Sequence, residues 1–220
     1  MPIALIIRKP DGASVYRDLL LSSLKNEGIS ELHVASGFFR GDMPEILADK
    51  TPDYSFGEAS GRTIHLYGAS NSSAAKEMIV LSKSLKESGV DVTANLQRPQ
   101  DSRSLTWHAK LQVHLRKNVG PVIAVVGSSN MTMPAMFAHT ETGPQRNISL
   151  AQQEADVIMW LAGDECASEI VRMARNGWGN EVLGQEAFSD SKYDDEVGKL
   201  IVGAYESLMK LNWERVDDRQ

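Results

Sequence analysis

The feature that most constrains this chain is a repeated switch of hydrophobic period along its first two-thirds. Short runs with strand-like alternation give way to stretches whose apolar residues recur every three or four positions, and then return. "IALIIRK" (3–9) reads as a strand, and "ASVYRDLLLSSLKNEG" then places Val15, Leu19, Leu20 and Leu24 on one helical face, ending at Gly28. "ELHVASGFF" (31–39) is a second strand, "DMPEILAD" a short helix and "RTIHLYG" (62–68) a third strand. "SNSSAAKEMIVLSKSLKESG" is a helix capped by Asn71 or Ser72. Ala75, Met78, Ile79 and Leu85 form its inward stripe, and Gly89 stops it. "VDVTANL" gives a fourth strand, and "QRPQDSRSL" a polar loop. Such alternation predicts an α/β fold, a mixed β-sheet flanked by helices. After Ile148 strand signals thin out, and "QQEADVIMWLAG", "DECASEIVRMARNG" and "SKYDDEVGKLIVGAYESLMKLNW" read as helices. The expected organisation is an α/β core over 1–162 and a helical C-terminal part over 163–220, the latter a candidate dimerisation or partner-contact element.

Several classes fall away on composition. No apolar run approaches the roughly 20 residues that span a bilayer. "MPIALIIRKP" is apolar but short, without the basic start and small-residue cleavage pattern of a secretory signal. Cys166 is the only cysteine, so no intramolecular disulfide forms, and no Cys/His cluster has zinc spacing. These readings predict a soluble cytoplasmic protein with no membrane contact, no cofactor and no metal. A net charge of −6 argues against coating nucleic acid non-specifically. The charge is uneven, however. Between Leu96 and Lys117 stand Arg98, Arg103, Lys110, Arg116 and Lys117 against the single acid Asp101, whereas acids gather near the C-terminus. A basic strip on an acidic body is compatible with a phosphate-bearing ligand.

The chemistry concentrates in "WHAKLQVHLRKNVGPVIAVVGSSNMT" (107–132). If "HAKLQVHL" is a strand, His108, Lys110, Gln112 and His114 share one face, polar throughout. Ala109, Leu111, Val113 and Leu115 share the other and belong in a core. "KNVGP" supplies a turn, and "VIAVV" has the apolar character of a strand buried on both faces. That strand delivers Gly127-Ser128-Ser129-Asn130, with Ser128 and Asn130 on one face. "MTMPAMFA" reads as the start of a helix whose N–H groups favour an anion. His114 reads as an auxiliary or exposed residue, and Trp107 as packing.

His108-Ala109-Lys110 followed by Gly127-Ser128-Ser129-Asn130 resembles the H-x-K…G-S-x-N motif of the phospholipase D superfamily, over roughly residues 1 to 160. The likeness is to its single-motif, metal-independent nucleases, including restriction-type endonucleases. It implies cleavage of a DNA phosphodiester through a phosphohistidine, with His108 as nucleophile or general acid. Lys110 and Asn130 would bind phosphate, and Ser128 would be a further donor or a supporting partner. Glu141, eleven positions beyond Asn130, would hold His108 through its other ring nitrogen; an alignment through Asn147 would put Ser149 there instead. Arg98, Arg103, Arg116 and Lys117 would be backbone contacts to DNA. With no second H-x-K in the chain, the resemblance implies a homodimer whose two motifs meet across a two-fold axis. Leu115 stands where the family usually has an Asp. Two other readings stay open: a catalytically silent nucleic-acid-binding or scaffold module, and an enzyme acting on a phospholipid headgroup or small phosphodiester.

Overall fold

The structure is a computed structural model, and it describes residues 2–8, 14–39, 61–69, 72–87, 89–97, 110–129, 155–175, 182–187 and 191–216. In chain order these form β1 (Ile3–Arg8), α1 (Val15–Lys25), β2 (Ile29–Ser36), β3 (Thr63–Gly68), α2 (Ser72–Glu87), β4 (Asp91–Gln97), β5 (Lys110–Arg116), β6 (Gly120–Gly127), β7 (Ala155–Trp160), α3 (Glu165–Arg175) and β8 (Val182–Ala187). A 3-10 turn (Ser191–Tyr193), α4 (Asp194–Met209) and β9 (Trp213–Arg215) follow. The strands make one mixed sheet in the order β8-β1-β7-β6-β5-β2-β3-β4-β9. This is the α/β class the periodicity predicts. "DMPEILAD", "RPQDSRSL" and "MTMPAMFA" lie outside the described residues.

Strand direction sets where a site can be. β2 pairs in parallel with β3 and β3 with β4, while β1–β7, β7–β6, β6–β5 and β5–β2 are antiparallel. β1, β2, β3, β4 and β6 therefore point one way, and their C-terminal ends share one edge with the start of β5 and β7. That edge is where open α/β sheets bind ligands.

Each sheet face has its own cover. On one face lie α1, α2 and α3. α1 is capped by Ser14, whose hydroxyl accepts from the Arg17 N–H at 3.3 Å. It is buried nearly all round, with Leu19, Leu20 and Leu24 at 1% exposure or less, because it lies between the sheet and α3. Each fully buried Leu or Ile contributes about 1.5–3 kcal/mol relative to exposure. α2 ends as its sequence predicts: Gly89 adopts φ +87°, and the Val90 N–H reaches back to the Leu85 carbonyl at 3.1 Å. On the other face α4 packs Val197, Ile201 and Leu208 onto Leu111, Val113, Leu115, Ala124 and Met159. The Asp194 carboxylate ties its start to the chain after β7, accepting from the Ala162 and Gly163 N–H groups at 2.9 and 2.7 Å.

Two readings change. Residues 155–160 belong to a strand and not to a helix: β7 lies between β1 and β6, and its Ile158 and Met159 are buried on opposite faces. Burial on both faces erases the alternation that marks a strand. Beyond Gly163 the chain is helical in α3 and α4 but also supplies β8 and β9, which close the two outer edges of the sheet. β9 has only three residues, and both strands pair on one side only, so their hydrophobic signal is weak.

Candidate functional site

A row of directly opposed residues runs across the edge described above. Lys110 of β5 faces Gly127 of β6, Gly127 faces Asp156 of β7, and Asp156 faces Ile6 of β1. Opposed residues project to the same side of a sheet, here the α1 side. Lys110 and Asp156, only 7% and 4% exposed, therefore flank Gly127. The glycine is a steric requirement, since a Cβ there would sit 1.9 Å from Asp156 Oδ1 and 2.6 Å from the Ala155 carbonyl oxygen. Ser129 fixes the carboxylate: its hydroxyl donates to Oδ2 at 2.6 Å and its N–H to Oδ1 at 3.3 Å. Ser128 is exposed and pairs with Ala155, donating its N–H to the Ala155 carbonyl at 3.0 Å and accepting the Ala155 N–H on its hydroxyl at 3.0 Å. A lysine held by its surroundings beside a backbone stripped of side chain can meet an anion with little reorganisation, which is what charge stabilisation in phosphoryl transfer needs.

Beneath Lys110 the polar face of β5 is not wet, as its alternation implies, but sealed by α1. Gln112 and His114 are fully buried. Gln112 donates its amide to the Tyr16 carbonyl at 3.0 Å and accepts from His114 Nε2 at 3.0 Å, while His114 Nδ1 accepts from the Ser23 hydroxyl. His114 is thus neither exposed nor auxiliary to a ligand; it is a structural imidazole with both nitrogens occupied. Burial pushes its pKa down to about 3, with the nearby His33 ring pushing the same way. Burial also raises the Tyr16 phenol strongly; the nearby Gln112 amide opposes this and the Asp156 charge adds a smaller push upward. A neutral, hydrogen-bonded spine therefore supports a charged rim.

Of the residues the sequence singles out, Lys110 and Ser128 meet at this edge, on facing ends of β5 and β6. His108, Asn130, Glu141, Arg98 and Arg103 lie outside the described residues. Arg116 and Lys117 stand at the far end of β5, about 20 Å from Lys110 at strand rise. Arg116 is ion-paired there with Asp164. Leu115, where the sequence resemblance leads one to expect an Asp, is buried under α4 on the opposite face, so its side chain is no part of this rim. Sequence reasoning did not find Asp156 or its tie to Ser129. The available signal was a lone acid in the apolar run "ADVIMW".

No family model matches the chain, and no curated protein matches it in sequence. Several solved structures are similar at low identity. They include polyphosphate kinase from Porphyromonas gingivalis (16% identity, TM-score 0.45, 71% of this chain and 23% of that one). NucT from Helicobacter pylori is similar at 13% identity and TM-score 0.43, over 93% of this chain and 96% of its own. The yeast tyrosyl-DNA phosphodiesterase is similar at 12% identity and TM-score 0.37, over 71% and 31%. Among the described residues, no helix is long and apolar enough to cross a membrane.

Proposed function

We propose that the chain is a phosphodiesterase that cleaves DNA without a metal, through a phosphohistidine in an active site completed by a second copy. The observation that carries this reading is the rim itself. Lys110, two positions after His108, is buried opposite Gly127, and the Ser128-Ser129 turn leading to Asn130 is pinned by Ala155 and Asp156. The described members of the order H-x-K…G-S-x-N, Lys110 and Gly127-Ser128-Ser129, lie at one sheet edge, which supports this reading.

In this mechanism His108 of one copy attacks phosphorus in line. The P–O bond to the leaving strand breaks as the second copy's imidazolium gives its proton to the leaving oxygen. That imidazole then takes a proton from water, the water oxygen attacks phosphorus, and the P–N bond breaks to return His108. Lys110 and Asn130 of both copies hold the nonbridging oxygens. A second copy is supported by an apolar patch where the α4-side face runs out to this edge: Leu5, Ile7 and Val126 are 50%, 40% and 38% exposed. Exposed apolar groups that adjoin across three strands mark a contact surface.

The test is plasmid cleavage in excess EDTA. Wild type cleaves, His108→Ala loses at least about a thousandfold, and Lys110→Met loses about 10²–10³-fold with retained DNA binding. A requirement for added divalent metal, or undiminished cleavage by His108→Ala, refutes the mechanism. Salt-dependent DNA binding with no turnover in wild type would instead identify a binding module.

A further inference from the structure

We propose that Glu31, His33 and His65 form a binding site for one divalent transition-metal ion of the zinc type, on the sheet face opposite Lys110. β2 and β3 pair in parallel with His33 directly beside His65, and Glu31, two residues before His33, projects to the same face. One donor atom from each residue, a ring nitrogen of each histidine and a carboxylate oxygen, falls within 4.8 Å of the others. His33 Nε2 is 3.2 Å and His65 Nε2 3.5 Å from Glu31 Oε2. With bonds of about 2.0–2.1 Å, a tetrahedral zinc needs its donors about 3.3 Å apart. Two edges of that tetrahedron are already at length. The third closes when the half-buried His65 turns toward His33, whose ring it stacks on at 4.5 Å with a 23° tilt.

The outer partners are those of a metal site. His33 Nδ1 lies 2.9 Å from the Tyr67 hydroxyl and His65 Nδ1 2.8 Å from the Thr93 hydroxyl, so each ring is oriented through the nitrogen that does not face the cluster. A hydroxyl can give or take a proton. Without metal, the His33 Nε2–H donates to Glu31, His65 Nε2 lies 3.5 Å from the same oxygen, and each Nδ1 accepts. With metal, each Nε2 lends its lone pair and each Nδ1–H donates to the same hydroxyl oxygen. The exchange is a tautomer shift that moves no proton to solvent. Tyr67 has a further outlet for its own proton, the Met209 sulfur at 4.0 Å. The Tyr205 ring of α4 packs edge-on against His33 at 5.0 Å, closing one side of the site, while Glu31 leaves the other open to a water as fourth ligand. Two imidazoles and a carboxylate select zinc-like ions over Mg²⁺ and Ca²⁺. Bound there, the ion would cross-link β2 to β3 beneath α4.

The experiment is a calorimetric titration of the metal-stripped full chain with ZnCl₂, with MgCl₂ alongside. One equivalent of Zn²⁺ binds with a raised melting temperature, Mg²⁺ does not bind, and Co²⁺ gives the visible absorption of a low-coordinate nitrogen–oxygen site. Glu31→Gln and His65→Asn, both at partly exposed positions, abolish binding. Thr93→Val, which touches no metal, weakens it about 10–100-fold. No Zn²⁺ uptake by wild type, or uptake unchanged in Glu31→Gln and His65→Asn, overturns the site. The readout is binding and not cleavage, so it stands or falls separately from the nuclease reading.

Discussion

The sealed spine under α1 makes a quantitative prediction about acid. In the unfolded chain His114 titrates at about 6.5, whereas in the native fold burial holds it at about 3. Between those values the unfolded state carries a proton that the native state does not, so stability falls as pH falls through that window. Above pH 6.5 the ring contributes no slope, and below about 3 both states are protonated and the loss stops growing. From these two values, acidification from pH 8 to pH 5 costs about 2 kcal/mol through this residue alone, and about 3 kcal/mol at pH 4. His33, at about 4 by burial and by its neighbour His65, adds its own slope, so wild type must be compared with a variant. His114→Gln keeps a hydrogen-bonding side chain between Ser23 and Gln112 but cannot titrate. Urea unfolding of both proteins at pH 8 and pH 5 isolates the term: wild type should lose about 2 kcal/mol more than His114→Gln between the two. If the variant does not fold, the wild-type ring itself answers by NMR, its Cε1 proton reporting a neutral imidazole at pH 5. Equal acid sensitivity in the two proteins, or a ring that titrates near 6.5, would refute the claim that this face of β5 is dry.

Other perturbations probe the rim. Gly127→Ala drives a Cβ into Asp156 and the Ala155 carbonyl and should cost about 2–4 kcal/mol by thermal unfolding, counting overpacking and the disturbed Ser129–Asp156 bond. Gly68→Ala should cost less, because its nearest obstacle is the adaptable thioether of Met78 at 2.9 Å. Ser129→Ala leaves the buried Asp156 carboxylate short of its closest donor; a loss of about 1–3 kcal/mol is expected in denaturant melts. Leu115→Asp, which installs the residue type that the motif resemblance leads one to expect, should destabilise by several kcal/mol without raising cleavage, because that side chain faces the core under α4. Val126→Glu should leave the melting temperature nearly unchanged while shifting sedimentation toward monomer and lowering EDTA-resistant cleavage in proportion.

Much of this architecture was legible because the physics that sets it is local. The switch of period located β1 to β6 and the two helices between them, and Gly89 and the "KNVGP" turn marked real left-handed backbone, with Asn118 at φ 64° and Gly120 at φ 102°. What failed to show is non-local. The alternation Lys110, Gln112, His114 says that one face is polar, but only the fold shows that Tyr16 and Ser23, some 90 residues earlier, satisfy it in the dry. β7 hid because a strand covered on both sides has no polar phase to reveal it. Asp156 hid for a related reason: its partner Ser129 lies across 26 intervening positions, so no spacing connects them. The Glu31/His33/His65 cluster was half visible, since residues two apart on a strand share a face. Pairing of β2 with β3 had to supply the third donor.

These non-local contacts bear on how a site of this kind works. A lysine ammonium placed in a rim only 7% exposed gives up hydration, and that cost is tolerable only where fixed partners replace the lost water. Once it is met in the fold, little solvent or side chain has to rearrange when charge moves onto a phosphate oxygen, and such reorganisation is where a floppy surface lysine loses its catalytic value. The buried Gln112–His114 spine, the close approach of Asp156 to Gly127 and the pinned Ser128-Ser129 turn therefore belong to one device. Each removes a way for the rim to move, and none needs to touch the substrate. Under the proposed nuclease reading, substitutions in the spine should lower turnover more than they weaken DNA binding, because affinity comes from charge that remains and rate comes from where that charge is held.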